Sequence, residues 1–254
     1  MSHFSMIVVT DEKPTEAALH AILLPWHEYE STGFEEYVVD VDKTTEALAA
    51  YAKRGDDERE QSPAEWAAEY YGVPIKHPGT HVDAKYGSIE VDAGGNLLRV
   101  IDRTNPNRKW DWWQIGGRYK GKIALANAVE VDSARFGDVA MAFMKRMRVR
   151  DRQRTVDGIY EWLASQSERG LCLARDDTWG DFNVPEGQTL DDWIASAPAL
   201  SSWGFVVDGE WRERGPMGWW DISSDDNPDW QQEADAILAA IRPDQWITVI
   251  DCHI

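Results

Sequence analysis

The densest group of chemically capable side chains lies in Pro106-Asn-Arg-Lys-Trp-Asp-Trp-Trp-Gln-Ile-Gly-Gly-Arg-Tyr-Lys-Gly-Lys122, which holds three tryptophans, one carboxylate, a Gly-Gly pair and several cations. The indoles of Trp112 and Trp113 offer flat apolar faces to a base or other ring. Gly116 and Gly117 let a backbone come close to a ligand, and Arg118 presents a planar fork to a phosphate or carboxylate. Asp111 would orient Arg118 or receive a ligand hydroxyl, and Tyr119 closes the set. A structural alternative uses the same residues: tryptophans plug a sheet-to-loop junction, Gly-Gly forms a tight turn, and Asp111 pairs with Arg118. The spacing matches neither a P-loop nor a dinucleotide fingerprint, so a phosphate loop of those kinds is disfavoured.

A second cluster, Arg214-Gly-Pro-Met-Gly-Trp-Trp220-Asp221, repeats the ingredients. If Trp219 and Trp220 meet the first cluster they wall an aromatic pocket; otherwise each cluster is a separate core plug. At the carboxy end, Asp251 and His253 share one strand face while Cys252 points to the other, so the three cannot serve one site without distortion. His253 joins the candidate ligand-binding set. His77, His81 and Asp83 have metal-ligating side chains but sit in one loop with no second ligand set, and no metal or cofactor is expected. His27-Glu28 follows a helix exit and could supply an acid or base. His3-Phe4-Ser5 has the His-x-Ser form of two-histidine phosphoesterases, without a matching second element. There is no Gly-x-Ser-x-Gly elbow, His-Glu-x-x-His or Cys-x-x-Cys site.

These residues need elements to hold them. Phe4 to Thr10 reads as a buried strand, followed by a helix with Leu19 and Leu23 in its apolar stripe before Pro25. Tyr37 to Asp42 is a strand candidate, Thr44 or Thr45 caps a short helix, and Ser62-Pro63 opens another. Gly87 to Asp102 reads as a hairpin across a Gly-Gly-Asn turn, and Lys120 to Leu125 as a strand. Ser133 is expected to cap a helix repeating Phe136, Val139, Phe143 and Met147. The basic run 145–154 reads as a solvated helix end or surface turn, or as a contact to an acidic partner or phosphate. Residues 170–190 read as a loop, with Thr189 capping a short helix that carries Trp193. A hairpin turning at Asp208-Gly209, a helix over Pro228 to Ile241 and a final strand Trp246 to Ile254 complete the order.

Strand then helix at the start, with hairpin, helix and strand at the finish, predicts an α+β protein. Its ferredoxin-like antiparallel core would be formed by N- and C-terminal βα units, in one domain over residues 1–254, with a helical or loop insertion at 130–200.

Composition narrows the function. The chain has 254 residues, a net charge of -19 and 43% hydrophobic residues, enough for a packed core. From Thr155 onward 20 Asp and Glu face 5 Lys and Arg, against 25 and 21 before it. Such a chain is repelled by a phosphate backbone, which excludes general nucleic-acid binding, although clustered carboxylates could imitate phosphates in a basic cleft. Otherwise the acid serves solubility. Two cysteines, Cys172 and Cys252, suggest no disulfide framework. No basic leader opens the chain and no apolar run approaches a membrane span of about 18 residues, so a cytoplasmic protein without membrane contact is expected.

At Lys109 to Tyr119, and again at Asp208-Gly-Glu-Trp211, Gly215-Pro-Met-Gly-Trp-Trp220 and Thr248 to Ile254, the chain resembles an uncharacterised family common in bacteriophages and prophages. That resemblance implies a mobile-element context and no activity. The leading expectation is an intracellular protein that engages and inhibits a host (defence) factor through a Trp/Arg-lined pocket or its acidic surface. The alternatives are a binder that sequesters a nucleotide-like ligand and an enzyme acting on such a ligand, with Asp111 or His253 as acid/base and Arg118 holding the anionic group.

Overall fold

A computed structural model describes residues 2–54, 61–168, 184, 187–216 and 227–254. In chain order the elements are β1 (His3–Thr10), α1 (Glu16–Leu23), α2 (Tyr29–Thr32), β2 (Val39–Asp42), α3 (Thr44–Ala52), α4 (Pro63–Tyr71), β3 (Ile75–Lys76), β4 (Gly87–Val91), β5 (Leu97–Thr104) and β6 (Trp112–Ile115). They continue as β7 (Ile123–Ala124), β8 (Glu130–Val131), β9 (Ser133–Arg135), α5 (Met141–Glu168), α6 (Leu190–Ala195), β10 (Gly204–Val207), β11 (Glu210–Glu213), α7 (Trp230–Ala240) and β12 (Trp246–His253). The protein is α+β. It divides into two compact units, one of Glu16–Trp113 with His253–Ile254, the other of Ser2–Thr15 with Gln114–Cys252.

The first unit carries a four-stranded sheet in the order β2-β5-β4-β3. Its β4–β5 hairpin is closed by Asp92, whose carboxylate accepts from the backbone N–H groups of Gly94 and Asn96. Helices α3 and α4 cover the sheet, with Ala47, Trp66 and Ala67 buried against Ile89, Val91 and Val100. Helix α4 begins where Ser62-Pro63 requires: the Ser62 hydroxyl accepts from the Glu65 N–H, and the Glu65 carboxylate accepts from the Ser62 N–H. This reciprocal cap satisfies two otherwise unpaired amides. Ser62→Ala is expected to cost about 1 kcal/mol, read as an earlier midpoint in urea denaturation with unchanged slope.

The second unit is built on a sheet ordered β11-β10-β1-β12, with β9 also pairing with β12. Strands β1 and β10 run parallel, Met6 opposite Gly204, and β10 turns into antiparallel β11. The turn residues Asp208 and Gly209 both have positive φ, 53° and 75°, as a two-residue hairpin with right-handed strand twist demands. Six consecutive residues of β1 and of β12 are buried, because the sheet is covered where these inner strands lie. Helix α7 buries Trp230, Ala234 and Leu238 at four-residue spacing against Ile7, Phe205, Ile247 and Val249. Enclosing a leucine such as Leu238 contributes about 2 kcal/mol.

Two expectations for the middle of the chain are corrected. Ser133 caps no helix: Ser133–Arg135 is a strand whose residues pair with Trp246, Ile247 and Thr248, and the Ser133 and Thr248 hydroxyls are 2.8 Å apart. The open edge of β12 offers backbone partners that local helix propensity cannot match. Phe136 and Phe143 still pack on the core, from a 3-10 turn and from α5 respectively. The basic run 145–154 is neither a helix end nor a turn, since it lies inside the 28-residue helix α5. Among the described residues no helix is long and apolar enough to cross a membrane.

Candidate functional site

The residues singled out from sequence fall into two groups. In the first unit the Asp111 carboxylate lies 2.6 Å from His253 Nδ1, and the Asp111 N–H donates to the His253 carbonyl at 2.9 Å. Trp112 meets the His253 ring edge-on at 6.5 Å, and Trp113 stacks with His20. Trp110 is the structural plug of this segment: 2% exposed, it donates its indole N–H to the Leu23 carbonyl and packs against His27. Burial lowers the pKa of His27 and raises that of its neighbour Glu28.

In the second unit, Gly116 and Gly117 take positive φ, 70° and 49°. The space a side chain would fill on each is occupied by the chain's own carboxylates, Asp132 at Gly116 and Asp251 at Gly117. The pair therefore admits two acids against its backbone. Asp132 accepts from the Gly121 N–H at 2.6 Å, and Asp251 accepts from the Arg118 N–H at 2.9 Å. Tyr119 donates its hydroxyl to the His3 carbonyl at 3.0 Å. Trp219 and Trp220 lie outside the described residues.

Of the described candidates Tyr119 alone lines a cleft of about 650 Å³ in the second unit. The start of β1 supplies His3 and Ser5, two residues apart and so on one strand face. Arg148, Asp151, Arg152 and Thr155 come from successive turns of α5, spaced to share one helix side. Trp193 comes from α6, and Trp203 and Arg214 come from around the β10–β11 hairpin. The Arg152 guanidinium sits 4.4 Å from the Trp193 ring centre and donates to the Trp193 carbonyl, while Arg214 lies 5.6 Å from the Trp203 ring.

Lys122 is the unusual member. Its ammonium donates to Ser5 Oγ at 3.0 Å, and Ser5 Oγ lies 3.2 Å from Ser202 Oγ. Burial, followed by the like charge of Arg148, pushes its pKa down to about 8. Among the described residues no carboxylate lies within ion-pair distance of it. His3, which also lines the cleft, has its Nδ1 2.9 Å from Asp251 Oδ1, a carboxylate with no exposed surface. Among the described residues the cleft thus gathers four cations and an imidazole around one lining acid, Asp151, in a chain of net charge -19.

Sequence reasoning noticed His3-x-Ser5 and the basic run but did not join them. The available signal was the i, i+4 spacing of Arg148 and Arg152, which puts both on one helix side. Lys122 and Trp203 carry no local signature. Among the described residues no three His, Cys, Asp or Glu side chains group as metal ligands would. Compared with protein-family models, with curated proteins and with solved structures, the chain matches none.

Proposed function

We propose that the cleft of the second unit binds a small phosphorylated ligand bearing a planar ring, of the nucleotide class. Lys122 carries the reading. A half-buried ammonium with no carboxylate partner among the described residues is costly, and beside Arg148 it is costlier still, so the arrangement is stabilised by an anion entering the cleft. Arg152 and Arg214 add the planar forks that suit phosphate oxygens, and the indoles of Trp193 and Trp203 add faces on which a ring can stack.

The proposal is tested by adding AMP, ADP, ATP and cyclic dinucleotides, with inorganic phosphate for comparison, while following tryptophan fluorescence and thermal unfolding. A nucleotide at 100 times its Kd is expected to stabilise by about 2.7 kcal/mol, less at high salt, and to respond weakly in Arg152→Ala. A response to inorganic phosphate equal to that of every nucleotide would remove the ring from the proposal. No response to any phosphate compound would remove the proposal itself.

A further inference from the structure

We propose that the cleft is hydrolytic, with His3 as general base toward a phosphoester and Asp251 as the residue that positions it; this rests on the phosphate-binding reading above. The His3–Asp251 pair is built with more constraint than a surface contact needs. Asp251 is fully buried, and its two oxygens are committed separately, Oδ1 to His3 Nδ1 and Oδ2 to the Arg118 N–H. Gly117 lacks the Cβ that would occupy the place of that carboxylate. The backbone of His3 is pinned as well, by the Tyr119 hydroxyl on its carbonyl. A carboxylate only accepts, so Nδ1 carries the proton in this bond and the basic lone pair of the ring sits on Nε2. The imidazole, 15% exposed, lines the same cleft as Lys122 and Arg148, where a phosphate would be held.

The step uses water as co-reactant. The water oxygen forms a bond to phosphorus as the ester P–O bond breaks, and the water proton passes to His3 Nε2. The departing alkoxide takes a proton from solvent, and His3 returns its own, leaving an alcohol and a phosphate. Lys122, Arg148 and Arg152 oppose the negative charge on the phosphoryl oxygens throughout. Asp251 holds the imidazole in the productive tautomer and orientation.

The test is release of p-nitrophenol from p-nitrophenyl phosphate and bis(p-nitrophenyl) phosphate, and of phosphate from the nucleotides that quench tryptophan fluorescence. Wild type is expected to turn over at least one of these. His3→Gln should lose at least ~100-fold in kcat with nucleotide quenching retained. Asp251→Asn, which can still accept from Arg118 N–H but turns an amide NH₂ toward His3, should lose a similar factor in kcat with KM little changed. Added imidazole should restore part of the turnover of His3→Ala, which a purely structural role for His3 would not allow. If Asp251→Asn fails to fold, His3→Gln decides alone. Quenching without hydrolysis of any substrate overturns this proposal and leaves the binding reading standing, as does hydrolysis that His3→Gln leaves unchanged. Absence of both quenching and hydrolysis defeats the two together.

Discussion

Lys122→Met is expected to stabilise the protein by about 2 kcal/mol at pH 7 while abolishing its response to nucleotides. The drop in pKa from 10.5 to about 8 corresponds to a penalty of about 3 kcal/mol on the charged form, of which losing the bond to Ser5 Oγ gives back about 1. The sign follows from proton counting. Between pH 8 and 10.5 the unfolded chain keeps a proton on Lys122 that the folded chain has released, so wild-type stability rises with pH across that window and the full penalty applies below it. Methionine has the length to fill the site and removes the titration. Urea denaturation of both proteins at pH 7 and pH 10 measures the effect, since the other titrating groups cancel in the difference. A variant less stable than wild type at pH 7, with the same pH slope, would place the ammonium in water and remove the main support for an anion in the cleft. A charge kept where it costs stability is the pattern of a functional group.

Gly117→Ala should be among the most damaging single-methyl changes in the second unit, at about 3 kcal/mol. A left-handed backbone costs an alanine about 1–2 kcal/mol, and forcing a methyl group into filled space costs about 1–3 more. Here the new Cβ would lie 2.5 Å from Asp251 Cβ, and Asp251 is too deeply buried to swing aside. The bond from Arg118 N–H to Asp251, and with it the seat of His3, would be displaced, so hydrolysis should fall with stability. Gly209→Ala provides the contrast. That glycine also has positive φ, but nothing lies within 4 Å of its missing Cβ, and its cost should be about 1 kcal/mol. Equal costs at the two positions in urea denaturation would show that backbone conformation alone, and not Asp251, explains the Gly-Gly pair.

Local features were legible where local physics decides them. The Ser62-Pro63 cap, the Asp208-Gly209 turn, the Thr189 cap and the apolar stripe of α7 each act within a few residues, and each appears where the pattern places it. The strand reading of Ser133–Arg135 was hidden because its reason lies more than a hundred residues away, at the edge of β12. The Trp-rich segment drew attention by composition, yet Trp110 is buried as a plug and Gly116-Gly117 serves two carboxylates of the chain itself.

By itself, then, the sequence determined the α+β elements, the buried character of the first and last strands, and the presence of His3, Ser5, the basic run and Trp193 as unattached pieces. Tertiary structure decided that β1 lies parallel to β10, that α5 turns Arg148 and Arg152 toward Lys122, and that Asp251 reaches His3 from the far end of the chain. The reason is physical. Caps, turns and periodicity depend on neighbours in sequence, whereas a half-buried ammonium and a carboxylate–imidazole pair acquire their properties only from the groups that folding places around them.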